Sequence, residues 1–324
     1  MQSYWMQMSG DTSTLELRDV PPPLPGPGQV QLRMRAASLN RGEFIPGGLH
    51  KAGAAKPVGM EGAGEVTALG EGVERLKVGD RVMGRCAGAF SEYAVMAERE
   101  AMAVPPGLSW EEAASIPMTF LVVYDMLVMQ GRLQADEWVL INGVSSGVGV
   151  AALQMAKALG ARVIGTSGST DKLERLKPLG LDVGLCTRGA DFHDAVMQAT
   201  EGKGVNLVIN SVGGTVFAEN IRCMAFQGRL ATVGYVDNTL KAEIDLGALH
   251  ARRLTLFGVS NKQCTPEQRA LTIPGFTRDI VPMIAAGKLR PLVDRVFPFA
   301  QLPEAKASMQ ANQHLGKIVL SVHS

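Results

Sequence analysis

The chain has 324 residues, 46% of them hydrophobic, and its 32 Lys and Arg against 31 Asp and Glu leave a net charge of +1. That length exceeds what one core usually holds, and the apolar content is ample for burial, so a folded protein of more than one domain is expected. The balanced charge and the lack of a basic cluster argue against a nucleic-acid partner, and no apolar run is long enough to span a bilayer. Met1-Gln2-Ser3-Tyr4-Trp5 leads into polar residues rather than a secretory signal, so a cytoplasmic location is expected. Cys86, Cys186, Cys223 and Cys264 share no Cys-x-x-Cys spacing and the five histidines form no His-x-x-x-His pair, so neither a disulfide nor a structural zinc is expected. Of the 16 methionines most read as core fillers, while Met60 and Met118 would also suit an apolar pocket.

In chain order, Pro21-Pro22-Pro23 and Pro25-Gly26-Pro27-Gly28 punctuate the first turns, and short β-like runs follow at 29–35, 64–69 and 80–83. This first segment, 1–120, reads as an all-β, barrel-like domain. The apolar run Trp138–Asn142 then ends in Gly143-Val144-Ser145-Ser146-Gly147-Val148-Gly149, which opens directly into a helical pattern over 148–159 with Gly160 at its stop. Further apolar runs at 161–166, 183–185, 205–210, 229–234 and 254–258 are separated by helical lengths such as 191–200 and 216–226. Six strands alternating with helices imply an α/β fold with a doubly wound parallel sheet over 121–262, whose ligands lie at the carboxyl ends of the strands. Beyond it, helices at 276–286 and 302–311 and strands at 293–299 and 317–322 exceed what that sheet needs. The segment 263–324 is therefore expected to return to the first domain, with the active cleft between the two domains.

The turn after the first strand of the sheet is a candidate phosphate cradle: small residues let the backbone approach a pyrophosphate, and the amides of Ser145, Ser146, Gly147 and Val148 face it at a helix N-terminus. An NAD site would place a carboxylate about 20 residues on, to hold the ribose 2′-hydroxyl. Here the strand ends in Thr166-Ser167-Gly168-Ser169-Thr170-Asp171-Lys172, so Ser167 and Gly168 leave room for a 2′-phosphate to which hydroxyls and Lys172 can donate. NADP(H) is the expected cofactor. Arg188, just past the third strand, can reach the same phosphate; the alternative is that Lys172 and Arg188 are ordinary solvated charges.

An ordered series of motifs carries a resemblance over essentially the whole length: Ala36-Ala37-Ser38-Leu39-Asn40-Arg41-Gly42-Glu43, Pro57-Val58-Gly59-Met60-Glu61-Gly62-Ala63-Gly64, Val78-Gly79-Asp80-Arg81-Val82, the turn from Asn142 to Gly149, Asn210-Ser211-Val212-Gly213-Gly214, and Gly287-Lys288-Leu289-Arg290-Pro291-Leu292-Val293. The chain resembles zinc-independent medium-chain dehydrogenase/reductases of the quinone oxidoreductase branch. That resemblance implies a GroES-like β-barrel catalytic domain plus a Rossmann domain, dimerising through the Rossmann sheet. It also places Asn40, Met60 and Met118 at the positions where zinc-dependent relatives hold their metal with Cys, His and Cys. An amide and two thioethers cannot replace two thiolates and an imidazole, so a zinc-free reductase is expected.

Without a Lewis acid, acceptors that spread the incoming charge are favoured, so the expected substrate is a small quinone, enone or enal. Asn40 is the first candidate for a cleft residue, to meet substrate oxygen or the nicotinamide ribose; its other reading is a cap on the turn at Arg41. Arg41 either binds an acidic substrate or a developing enolate, faces solvent, or pairs with Glu43. Tyr124 matches a tyrosine of this branch, with core packing as its other role, and Glu61 is expected to hydrogen-bond backbone. By the same resemblance, Asn210, Gly234, Tyr235 and Val259 face the cofactor. Val122 and Thr187 depart from the family's threonine and tyrosine, and Thr119 is a candidate to compensate for the first. Two further readings stay open: an enoyl-thioester reductase, with His50 of Gly47-Gly48-Leu49-His50 as the proton donor, and a low-turnover NADPH-binding protein.

Overall fold

Buried and half-buried side chains alternate over the first eight residues of Gln29–Ser38, the period of a strand with one face on a core. In the computed structural model, which describes residues 1–9, 12–44 and 54–322, it is the central strand of the first unit. The strands there are β1 (Gln2–Ser9), β2 (Thr12–Asp19), β3 (Gln29–Ser38), β4 (Lys56–Pro57), β5 (Glu61–Leu69), β6 (Arg81–Arg85), β7 (Tyr93–Ala97) and β8 (Ala101–Ala103), followed by the helices α1 (Trp110–Ala114) and α2 (Pro117–Tyr124). Ser109 starts α1 with a capping box, its hydroxyl accepting the Glu112 amide while the Glu112 carboxylate accepts the Ser109 amide.

The second unit holds β9 (Trp138–Asn142), α3 (Gly147–Ala158), β10 (Arg162–Ser167), α4 (Thr170–Leu176), β11 (Val183–Cys186), α5 (His193–Ala199), β12 (Val205–Asn210), α6 (Phe217–Cys223), β13 (Met224–Thr232), α7 (Leu246–Ala251) and β14 (Thr255–Gly258). All its strand pairs are parallel, in the order β11-β10-β9-β12-β13-β14. This is the doubly wound sheet expected from the sequence, and its strand order reverses between β9 and β12. One packed face runs from Leu140, Ile164, Val208 and Leu230 of the strands to Val196 of α5 and Ile221 of α6.

The last elements are α8 (Pro266–Ala270), α9 (Thr272–Asp279), α10 (Val281–Ala285), β15 (Val293–Pro298), α11 (Leu302–Gln310) and β16 (Lys317–Ser321). By compactness the chain divides into Met1–Leu121 with Pro266–Ser324, and Val122–Thr265. The connection is explicit in the first unit, where β16 pairs antiparallel with β3 and parallel with β15. Its main sheet runs β15-β16-β3-β5-β6-β8, with β7 also on β3, and β2-β1-β4 form a second sheet. Leu32, Phe90, Leu302 and Leu320 lie in its core.

Two of the expected helices are bounded differently in the structure. The helix expected over 216–226 ends at Cys223, because Met224 opens β13 beside Val205. The helix expected over 276–286 starts earlier, at Thr272, and breaks between Asp279 and Val281, where Pro282 opens a new turn and can donate no amide to the one before it.

Candidate functional site

The candidate nucleotide site lies at the carboxyl ends of β9 and β10. Ser146 caps α3, its hydroxyl accepting the Gly149 amide at 3.0 Å and its carbonyl accepting the Val150 amide at 2.8 Å. The amides of Gly147 and Val148, in the first turn, have no carbonyl of the helix before them to bond. Gly149 is required by contact: a Cβ there would lie 2.4 Å from the Gly143 carbonyl oxygen and 2.6 Å from Val144 Cα, both backbone. The turn is therefore folded tightly back on the helix, with its N-terminal dipole aimed past Ser145 and Ser146, and it fits a dinucleotide pyrophosphate.

Ser145 Oγ lies 3.2 Å from Ser167 Oγ, which joins this turn to the end of β10. Ser167 is buried, and its carbonyl accepts the Thr187 amide at 3.0 Å, holding the loop after β11 against β10. That loop brings Arg188 onto Gly168, the next residue, while Lys172 lies in the first turn of α4 with its amide donating to the Ser169 hydroxyl at 3.3 Å. Ser145, Ser167, Gly168 and Arg188 thus converge.

The other cofactor-binding residues from the sequence sit differently. Asn210 is fully buried, and its side chain builds the turn after β12: Oδ1 accepts the amides of Val212 and Gly213, each at 3.0 Å, and Nδ2 donates to the Gly213 carbonyl at 2.9 Å. Its expected cofactor contact is therefore corrected to a turn-forming role. Gly234 lies beside Ser211. Tyr235 is exposed, with Lys262 Nζ donating to its hydroxyl at 3.3 Å. The Val259 amide donates to the Thr232 carbonyl at 3.2 Å, which leaves the Val259 carbonyl as its backbone group for a cofactor contact.

In the first unit, the ends of three adjacent strands build a buried polar cluster. Antiparallel pairing brings the end of β3, the start of β5 and the start of β16 together. Glu61, fully buried, accepts from Ser38 Oγ at 2.5 Å, Asn40 Nδ2 at 2.8 Å and Lys317 Nζ at 3.0 Å on Oε1, and from the Met118 amide at 2.6 Å on Oε2. The last contact sets a carboxylate on the N-terminus of α2, the backbone bond expected of Glu61. Lys317 also donates to the Leu39 carbonyl at 3.1 Å and to Asn40 Oδ1 at 2.9 Å.

Asn40 Nδ2 donates a second bond, at 3.0 Å, to Glu43, which is fully buried; Glu43 Oε2 has no partner among the described residues, and burial pushes the carboxyl up to about 8. The half-buried amide expected to meet substrate is therefore already engaged by Glu43, Glu61 and Lys317, and its side chain does not cap the turn at Arg41. The Arg41–Glu43 pair does not form. Arg41 Nη2 donates to the Met309 carbonyl at 2.8 Å and Asn312 Oδ1 at 2.5 Å, beside the end of α11, which replaces its expected role at a substrate. Tyr124 and Thr119 are buried. His50 and its neighbours lie outside the described residues.

Lys317 was given no role by sequence reasoning, although a lysine opening a strand that is buried at every position is the kind of signal that marks a paired charge. Among the described residues no group of three or more His, Cys, Asp or Glu side chains is arranged to hold a metal ion, and no helix is long and apolar enough to cross a membrane.

Two family models match: an alcohol dehydrogenase GroES-like domain over residues 26–106 and a zinc-binding dehydrogenase domain over residues 147–272. The human synaptic vesicle membrane protein VAT-1 homolog is 30% identical over 327 residues, covering 96% of this chain and 83% of that protein. A highly reducing polyketide synthase of Purpureocillium lilacinum is 32% identical over 91% of this chain, but the chain spans only 12% of its length. Among solved structures, a quinone oxidoreductase of Pseudomonas syringae pv. tomato superposes with a TM-score of 0.88 at 27% identity, covering 99% of each chain. A mycobacterial protein complexed with NADPH does so at 0.87 and 26%, covering 99% of this chain and 100% of the other. The CurK enoyl reductase does so at 0.83 and 25%, covering 99% of each. The chain belongs to the medium-chain dehydrogenase/reductase superfamily and is an oxidoreductase of that class.

Proposed function

We propose that the protein is a zinc-independent, NADPH-dependent reductase that delivers hydride to a quinone or an α,β-unsaturated carbonyl. One observation carries this reading. By the resemblance set out above, Asn40, Met60 and Met118 fall at the three motif positions that hold catalytic zinc in related dehydrogenases, and the structure has the Asn40 amide bonded to Glu43, Glu61 and Lys317. A carboxamide and two thioethers are poor ligands for a zinc ion in this role, so nothing strong would stabilise an alkoxide. A conjugated acceptor needs less help, because the charge spreads onto oxygen as a hydroquinone anion or enolate.

The nucleotide would be held by the first amides of α3 at its pyrophosphate and by Ser167, Lys172 and Arg188 at a 2′-phosphate; when bound, it supplies the hydride. The likeness to a structure solved with NADPH supports this choice. The chain's own contribution is to position the cofactor and to keep the cluster around Asn40 charge-balanced and rigid. β14 is one of the two edge strands of the six-stranded sheet, with β11 the other, and we take the protein to form a homodimer through this sheet.

A second reading, an enoyl-thioester reductase, is favoured by the likeness to the CurK enoyl reductase and to the polyketide synthase. Initial rates of NADPH oxidation, with NADH in parallel, against a quinone, an alkenal and an enoyl-CoA separate the two after exhaustive chelation. The proposal expects quinone or alkenal to be the best acceptor. Turnover confined to the enoyl-CoA selects the second reading, and activity restored only by added zinc refutes both.

A further inference from the structure

Arg188 makes no hydrogen bond or ion pair with any other described residue, although it is anchored at its base. The Thr187 amide is fixed to the Ser167 carbonyl, and the Thr187 hydroxyl accepts the Gly189 amide at 2.9 Å and bonds Asp191, so the backbone on both sides of Arg188 is set. The side chain crosses the end of β10 in the space where Gly168 has no Cβ. An ideal Cβ at Gly168 would lie 2.4 Å from Arg188 Nε and 2.7 Å from both Cγ and Cζ, well inside the ~3.5–4.0 Å of ordinary contact. The stretch of Arg188 from Cγ to Cζ therefore fills the space that a side chain at 168 would take, one residue along from Ser167, whose hydroxyl meets that of Ser145.

We propose that Gly168 determines nucleotide preference through sterics: its missing side chain is the seat that directs Arg188 toward a phosphate monoester on the ribose next to Ser167. This rests on the nucleotide reading given above. Gly168 is a positioning residue here, and Arg188 makes the contact. A planar fork with fixed direction can bond two phosphate oxygens at once, whereas an unseated arginine on an exposed loop acts as a diffuse, screened charge. Gly168 does not have a positive φ, and its clashing neighbour is the far end of a flexible side chain. Gly168→Ala should therefore leave the fold intact and move only Arg188.

The test is equilibrium binding of 2′,5′-ADP and 5′-ADP by calorimetry, which needs no substrate and no turnover. It compares the wild type with Gly168→Ala, Arg188→Ala and the double variant, each checked for an unchanged unfolding temperature. Loss of one charge-assisted contact corresponds to a roughly tenfold or larger rise in Kd. The expected result is that rise for 2′,5′-ADP in both single variants, no more than about a twofold change for 5′-ADP, and a double variant no weaker than Arg188→Ala. Wild-type affinity for 2′,5′-ADP in Gly168→Ala, alongside a loss in Arg188→Ala, overturns the seat, as does a double variant weakened by the product of the two. A wild type that binds the two nucleotides equally overturns the nucleotide reading itself, and the seat with it.

Discussion

Glu43→Gln isolates a buried carboxyl of the first unit that is held neutral well above its ordinary range. Glu43 is fully buried; among the described residues its Oε1 accepts only from Asn40 and its Oε2 has no partner, while Glu61 shares the same Asn40 nitrogen and the nearby Lys317 ammonium. Desolvation is the main cause that raises its carboxyl from 4.5 to about 8, with the Asn40 hydrogen bond opposing and Glu61 adding to the rise. A raised native value means that the carboxyl's contribution to stability is fully present below about 4.5 and is lost as pH climbs to about 8, where the native state at last ionises. The full shift corresponds to roughly 3–5 kcal/mol across that window, the lower end allowing for relaxation and water entry. Glutamine has the shape of the neutral acid and does not ionise. Thermal unfolding by circular dichroism from pH 5 to pH 9 should show the wild type losing several degrees that Glu43→Gln keeps, with the two nearly equal at the acid end. Parallel curves over the whole range would refute the argument, since they would mean that Glu43 titrates alike in the folded and unfolded chain.

Other perturbations follow from the same contacts. Lys317→Met leaves the Glu61 carboxylate buried beside Ser38 and Asn40 without its ammonium, and should cost ~3–5 kcal/mol; replacing Glu61 by Leu in the same chain should recover part of that in a urea titration. Gly149→Ala drives a methyl into the backbone of Gly143 and Val144, so NADPH binding read by fluorescence should weaken more than tenfold with a lowered unfolding temperature. Asn210→Ala removes three hydrogen bonds from one turn and should cost ~1–3 kcal/mol of stability; at a temperature where the variant stays folded, a loss of affinity for NADPH and NADH alike beyond about twofold would restore a cofactor contact.

The second unit was legible because its information is local. Each apolar run ends at a small-residue turn and is followed by a helical length, and the period of the pattern fixes a parallel sheet whatever the rest of the chain does. Ser146 and Gly149 could be placed for the same reason, since a cap and a close packing contact are written within a few residues. Asn210 was misread because an amide at a strand end looks alike whether it faces a ligand or folds back on the next two amides, and only the conformation of 212–213 distinguishes them.

The cluster around Glu61 was only half legible. Its members come from β3, β5, α2 and β16, and Lys317 lies 256 residues from the carboxylate it pairs with, so its partner depends on strand order rather than on spacing. Arg41 illustrates the same limit: a charged neighbour two residues away was the obvious partner, yet the acceptor is a carbonyl 268 residues distant. The seat of Arg188 on Gly168 was out of reach of periodicity for a different reason, because an absent side chain leaves no pattern.

The most direct measurement is the destination of the hydride. Demetallated protein is incubated with an alkenal and NADPH carrying deuterium at C4, both stereoisomers in turn, and the product is examined by mass spectrometry and NMR. A zinc-free reductase of conjugated acceptors puts the label on the β-carbon of a saturated aldehyde. Label on the carbonyl carbon of an allylic alcohol, or transfer that occurs only after zinc is added back, would contradict that account.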